Sequence, residues 1–116
     1  MNLGRVGGIL EAKKIAGMAE ASYLQIAPHL YCGPIVGAAA IPLGTCSMNL
    51  LIQEGILDWG GFHAELLQQP VNWEEGYILP PNGPGLGVEL DEVVAEAHPY
   101  AGTELHLATG EQEPEV

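Results

Sequence analysis

The sequence predicts an α/β fold with parallel strands. Two stretches of helical periodicity are each followed by a short apolar run of strand length, the links between them are short, and a Pro/Gly-rich region with no such rhythm follows. Residues 9–21, ILEAKKIAGMAEA, place Ile9, Ala12, Ile15, Ala16 and Ala19 on one helical face and leave Glu11, Lys14 and Glu20 for water. Gly7 and Gly8 supply a turn ahead of that helix. Residues 23–27, YLQIA, form a strand-like run ended by Pro28.

A second helix is expected after Gly33. Pro34 suits the first helical position, where a missing N–H leaves no carbonyl unserved, and IVGAAAI continues the helix. Pro42 cannot donate to the carbonyl four residues back, so a kink or an end is expected there. NLLIQ, residues 49–53, is a second buried strand followed by Glu54 and Gly55. Further on, residues 71–79 are expected to pair as an extended segment around Glu75-Gly76. Pro80, Pro81 and Pro84, with nearby glycines, make an irregular stretch. Leu90 to Ala97 is a short closing helix with Asp91 and Glu92 in its first turn, where the helix dipole favours acids. From about residue 102 the chain is polar and acidic, and a frayed tail is expected.

Composition excludes several function classes. The 116 residues carry a formal charge of −12, and the three basic residues, Arg5, Lys13 and Lys14, all lie near the start. Such a surface repels phosphate backbones and anionic lipid headgroups, so neither nucleic acid nor membrane is an expected partner. Two cysteines, Cys32 and Cys46, make no disulfide scaffold and no CxxC pair, and are read as packed, reduced thiols. The apolar run 35–41 is too short to span a bilayer, and no charged-then-apolar leader pattern opens the chain. A cytoplasmic location is expected.

Two buried parallel strands need further strands beside them, because parallel sheets are covered on both faces and their edges are liabilities. A complete eight-stranded α/β barrel takes roughly 250 residues. The chain is expected to supply the last quarter or third of one.

Four segments carry a family resemblance. NLGRVGGILEAKKIA resembles the end of barrel strand six and its helix in the mandelate racemase and muconate lactonizing branch of the enolase superfamily, where the pattern is an acid, four residues and then Gly-Gly. APHLYCGPIVGAAA resembles the end of strand seven, NLLIQEG the end of strand eight, and GYILPPNGPGLGVELDE the stretch that returns to the capping domain. The pattern is most similar to the acid-sugar dehydratases, galactonate dehydratase among them. The resemblance implies a C-terminal part of a (β/α)8 TIM-type barrel, from the end of strand six to strand eight. Residues 1–58 would form the last barrel units, 59–101 a capping-associated segment and 102–116 an acidic tail.

It also implies a chemistry: proton abstraction beside a carboxylate, an enediolate stabilised by Mg²⁺, and in dehydratases loss of a β-hydroxyl from a sugar-acid substrate. His29 matches the strand-seven histidine, a general acid or base. Read without the resemblance, it is a surface-loop histidine. Glu54 matches the strand-eight glutamate that faces the substrate carboxylate or the enediolate. Burial at the end of an apolar strand would favour its protonated, donating form, whereas the residues alone also allow a solvated acid. Asn2 occupies the position where the family carries an aspartate paired with that histidine. An asparagine keeps a hydrogen bond and supplies no charge.

The family's metal ligands lie on earlier strands, so no metal is expected to bind this chain alone, and catalysis by it alone is not expected. The competing reading is a non-catalytic acidic interaction module, or half of a split barrel that pairs with its missing half or with copies of itself. Trp59, Trp73 and Tyr77 are expected in core or capping contacts, with Trp59 at the pocket mouth. His63, His98 and His106 match no metal-binding spacing and are read as solvated.

Overall fold

A computed structural model describes residues 1–55 and 59–100. Two α-helices, α1 (Ile9–Ala21) and α2 (Pro34–Thr45), pack on one another, and each leads into an extended segment. A 3-10 turn (Gly61–Ala64), a two-stranded antiparallel hairpin of β1 (Trp73–Glu74) and β2 (Tyr77–Ile78), and a short helix α3 (Glu92–Ala97) follow.

Helix α1 has the expected bounds but a narrower buried stripe. Ala12 and Ala16, four residues apart, are buried, while Ile9 and Ile15 are exposed. Two small side chains on one face let the helix approach α2 closely, and Ala12 joins Leu3 and Leu43 in the core. Lys14 pairs with Glu11 at 2.6 Å on the exposed side, a contact worth a few tenths of a kcal/mol. Lys13 crosses to α2's end, where its Nζ donates to the Cys46 carbonyl at 2.6 Å. Gly7 and Gly8 both have positive φ, as the turn before α1 requires.

Helix α2 does not end at Pro42. It continues to Thr45, and the Cys46 amide donates to the Pro42 carbonyl at 3.0 Å. Packing explains the tolerance. Ile41, Leu43 and Gly44 on either side of Pro42 are buried, whereas Pro42 itself lies on the exposed face. The helix is anchored through its neighbours despite the missing donor. Thr45 and Ser47 hydroxyls also donate back, to the carbonyls of Ile41 and Leu43. Cys46 is exposed, contrary to the expected packed thiol, because it caps the helix on the outer side.

The two expected strands are reduced to one parallel bridge, Ile26 to Leu50. Local chemistry is the reason. Tyr23 has positive φ and belongs to the turn that ends α1, with its amide bonded to Glu20, so no strand can begin there. The Ile26 amide donates to Asn49 and the Leu51 amide to Ile26, a correct parallel step. The next donor on the first segment would be residue 28, and it is proline. The ladder stops, and the Pro28 carbonyl is reached by the amide of Glu54 at 3.3 Å. Strand-like alternation nevertheless persists: Ile26, Pro28 and Leu30 are buried, while Ala27, His29 and Tyr31 face outward.

The expected pairing around Glu75-Gly76 is present, with Trp73 opposite Ile78 and Glu74 opposite Tyr77. Both turn residues have positive φ, the feature of a type I′ hairpin. Tyr77 is exposed rather than packed, because a two-stranded hairpin leaves one face uncovered. The closing helix starts at Glu92, two residues after the expected Leu90. Asp91 is the N-cap, accepting from the Val94 amide at 3.1 Å, and only Glu92 lies in the first turn. An antiparallel bridge between Leu67 and Leu90, not anticipated from the sequence, ties this end to the middle of the chain. His63 and His98 are exposed, as expected, and each ring lies against Phe62, with centroids at 4.1 and 4.4 Å. His106 and the expected tail at 102–116 lie outside the described residues.

Two substitutions test this description. Replacing Pro42 with Ala restores a donor for the Ala38 carbonyl at an exposed site and should stabilise the chain by about 1–2 kcal/mol, less than the full helix-interior proline cost because the unfolded chain gains freedom. Replacing Gly76 with Ala at its positive φ should destabilise it by about 1 kcal/mol. Both are read from denaturant unfolding monitored by circular dichroism.

Candidate active site

Three chain segments run side by side and end at one place. The His29 amide donates to the Met1 carbonyl at 2.6 Å, which sets Asn2 beside His29 in the manner of neighbouring parallel strands. On the other side, the Glu54 amide bonds to the Pro28 carbonyl. The Gln53 side chain also donates to that carbonyl, at 3.1 Å, and so clamps the two segments just below the site.

The result is a contiguous cluster. Asn2, only 8 % exposed, lies with Nδ2 at 2.8 Å from His29 Nδ1. Across the imidazole, His29 Nε2 lies 4.0 Å from Glu54 Oε2. That gap is too long for a direct hydrogen bond. Glu54 Oε2 is itself oriented by the backbone amide of Leu30, at 3.2 Å. The side chains of His29 and Glu54 are 49 % and 50 % exposed. The expectation of a buried Glu54 is thus not met: the segment ends before it, and the carboxylate opens to solvent on the same side as the imidazole.

All three residues singled out from the sequence are therefore brought together. Cys32 was not expected among them. Its Sγ lies 3.3 Å from Asn2 Nδ2, and it sits three residues after His29 where the chain turns toward Gly33. Spacing alone carried no sign of that contact. Trp59 is also close by. Its indole N–H donates to the Cys32 carbonyl at 2.9 Å, and its ring lies against Gly37 of α2, where an added Cβ would sit 3.1 Å from the ring. Trp59 thus makes a packing contact of the kind expected of it, while the cavity described below does not include it.

A separate cavity of about 550 Å³ lies between the end of α2, residues 50–53 and the hairpin, with Trp73 in its wall. Trp73 Nε1 and Gln53 Oε1 are buried there without a partner. It does not include the three clustered residues.

The cluster offers one carboxylate, one imidazole and one amide. Among the described residues no three His, Cys, Asp or Glu side chains come together as a metal site. A hard divalent ion needs several oxygen ligands, so these residues do not fit Mg²⁺ by themselves. Nor is any helix among the described residues long and apolar enough to cross a membrane.

The family model described as Enolase C-terminal domain-like matches residues 1–94. The chain is 44 % identical over 102 residues to the D-galactonate dehydratase of Ralstonia nicotianae, covering 80 % of this chain and 26 % of that protein. To the D-galactonate dehydratase of Klebsiella pneumoniae it is 43 % identical over 100 residues, covering 78 % and 25 %. Among solved structures, a protein from Labrenzia alexandrii DFL-11 assigned to the mandelate racemase/muconate lactonizing enzymes is 63 % identical, with a TM-score of 0.81 over 92 % of this chain and 28 % of that one. A mandelate racemase/muconate lactonizing enzyme from Sulfitobacter is 52 % identical, with a TM-score of 0.77 over 90 % and 26 %. The chain thus spans about a quarter of the length of these relatives. The likeness gives it an α/β fold of the TIM-barrel type. The chain belongs to the enolase C-terminal domain-like family, among the mandelate racemase/muconate lactonizing proteins of the enolase superfamily.

Proposed function

We propose that this chain supplies the strand-six, strand-seven and strand-eight ends of a sugar-acid dehydratase site, which abstracts a proton beside a carboxylate and then expels a hydroxyl as water. The observation that carries the reading is the convergence of Asn2, His29 and Glu54 at neighbouring chain ends, with the His29 and Glu54 side chains open on one side. A substrate hydroxyl beside the pair, off the line that joins Nε2 to Oε2, can accept from the imidazole and donate to the carboxylate. His29 then faces the departing hydroxyl, and Glu54 the carboxylate or enediolate. Similarity to the D-galactonate dehydratases supports elimination as the reaction type and favours this reading over an interaction module.

In this reading Mg²⁺ is held by carboxylates outside these 116 residues, and it supplies charge stabilisation for the enediolate. The remainder of the barrel is the partner. Leu24, Leu51 and Ile52 are exposed along the bridged segments, and a strand beside residues 50–53 would cover part of that apolar surface.

The test is conversion of D-galactonate and other sugar acids to 2-keto-3-deoxy products in the presence of Mg²⁺. The chain alone should show no turnover above a protein-free control. A hybrid in which it replaces the matching segment of the Ralstonia nicotianae enzyme should be active. In that hybrid His29→Asn and Glu54→Gln should each lower kcat by roughly 10²–10⁴-fold. Turnover by the chain alone, or full activity in both hybrid variants, contradicts the proposal.

A further inference from the structure

The hydrogen bonds around Asn2 fix more than the position of His29. The Gly4 amide donates to Asn2 Oδ1 at 2.9 Å. A backbone N–H can only donate, so the atom facing it must be the carbonyl oxygen of the side-chain amide. Rotating the amide by half a turn would set its NH₂ against the Gly4 N–H and lose that bond. The atom facing His29 Nδ1 at 2.8 Å is therefore Nδ2, a donor. A donor at this distance needs a lone pair opposite, so Nδ1 carries no hydrogen and the neutral imidazole holds its proton on Nε2. Cys32 Sγ, 3.3 Å from the same Nδ2, takes the amide's second hydrogen and leaves the arrangement unchanged.

The ring orientation agrees. Turning the imidazole over would bring a carbon against Asn2 Nδ2 and withdraw Nε2 from Glu54. As it stands, Asn2 Nδ2 donates to Nδ1, and Nε2 lies on the side of Glu54 Oε2, 4.0 Å away, which accepts from Leu30.

We propose that Asn2 is a positioning residue that locks His29 as its Nε2–H tautomer, so that His29 meets a substrate oxygen as a hydrogen-bond donor and not as a proton acceptor. An aspartate at position 2 has the opposite effect. One carboxylate oxygen still accepts from Gly4, and the other accepts from His29, which draws the ring hydrogen to Nδ1 and bares a lone pair at Nε2. With Asn2 in place, the His29 face of the site can polarise an oxygen but cannot take a proton from carbon. In an elimination His29 then only hydrogen-bonds the departing oxygen, and the acceptor of the α-proton and the donor that makes the hydroxide water belong to the rest of the barrel, whereas racemisation or epimerisation needs an acceptor on the His29 face. The substrate role rests on the dehydratase reading; the tautomer does not.

The test is ¹⁵N NMR of the histidine-labelled chain, at a pH where the imidazole is neutral, with the His29 signals assigned by their loss in His29→Phe. The wild-type chain should show a protonated, pyrrole-type Nε2 and a bare, pyridine-type Nδ1. Asn2→Asp should exchange the two. A proton on Nδ1 in the wild type, a mixture of tautomers, or an Asn2→Asp spectrum with the tautomer unchanged overturns the proposal. The measurement uses no substrate, so its failure is separate from failure of the turnover assay.

Discussion

The parallel pairing of Ile26 with Leu50 is the constraint from which the site follows. Two backbone bonds fix it, from Ile26 to Asn49 and from Leu51 to Ile26. Register in an extended segment decides which side chains share a face, and a slip of one residue reverses them all. Here the register sends Ile26, Pro28 and Leu30 inward and leaves His29 outward, level with Glu54. The bond from His29 to Met1 then brings Asn2 alongside. Asn49 strengthens the arrangement, since its side-chain amide donates both to Ala16 at the heart of α1 and to Leu24 at the start of the first segment. One polar side chain thus joins helix, turn and both extended segments.

Proline sets the limit of that pairing. Pro28 contributes a buried side chain, and its carbonyl is used twice, by Glu54 and by Gln53, yet its missing N–H ends the ladder at the point where the candidate site begins. Side chains that must meet a ligand sit just beyond regular structure, on backbone held by a few specific bonds. The half-exposed His29 and Glu54 are the consequence.

Much of this was legible in the residues. Helix α1 and the start of α2 follow from apolar spacing and from Pro34, and the hairpin from Glu75-Gly76. Asn2, His29 and Glu54 stood out through the family resemblance of short segments around them, and the fold draws them together. What sequence reasoning missed depends on contacts between distant positions. Nothing in the run YLQIA shows that Tyr23 belongs to the turn ending α1. Pro42 was judged by its missing donor, whereas burial of Ile41 and Leu43 on either side decides the helix. Cys32 entered the site through the side chain of a residue thirty positions away.

Amide hydrogen exchange tests the central claim most directly, because the site depends on four backbone donors: Ile26, His29, Leu51 and Glu54. The account predicts that these four amides are protected and that their protection is lost together as denaturant is added, while the amide of Tyr31, an exposed residue whose N–H is bonded to no backbone acceptor among the described residues, exchanges early. Exchange of the four at the rate of an unstructured chain would contradict it, since Asn2, His29 and Glu54 would then have no common scaffold.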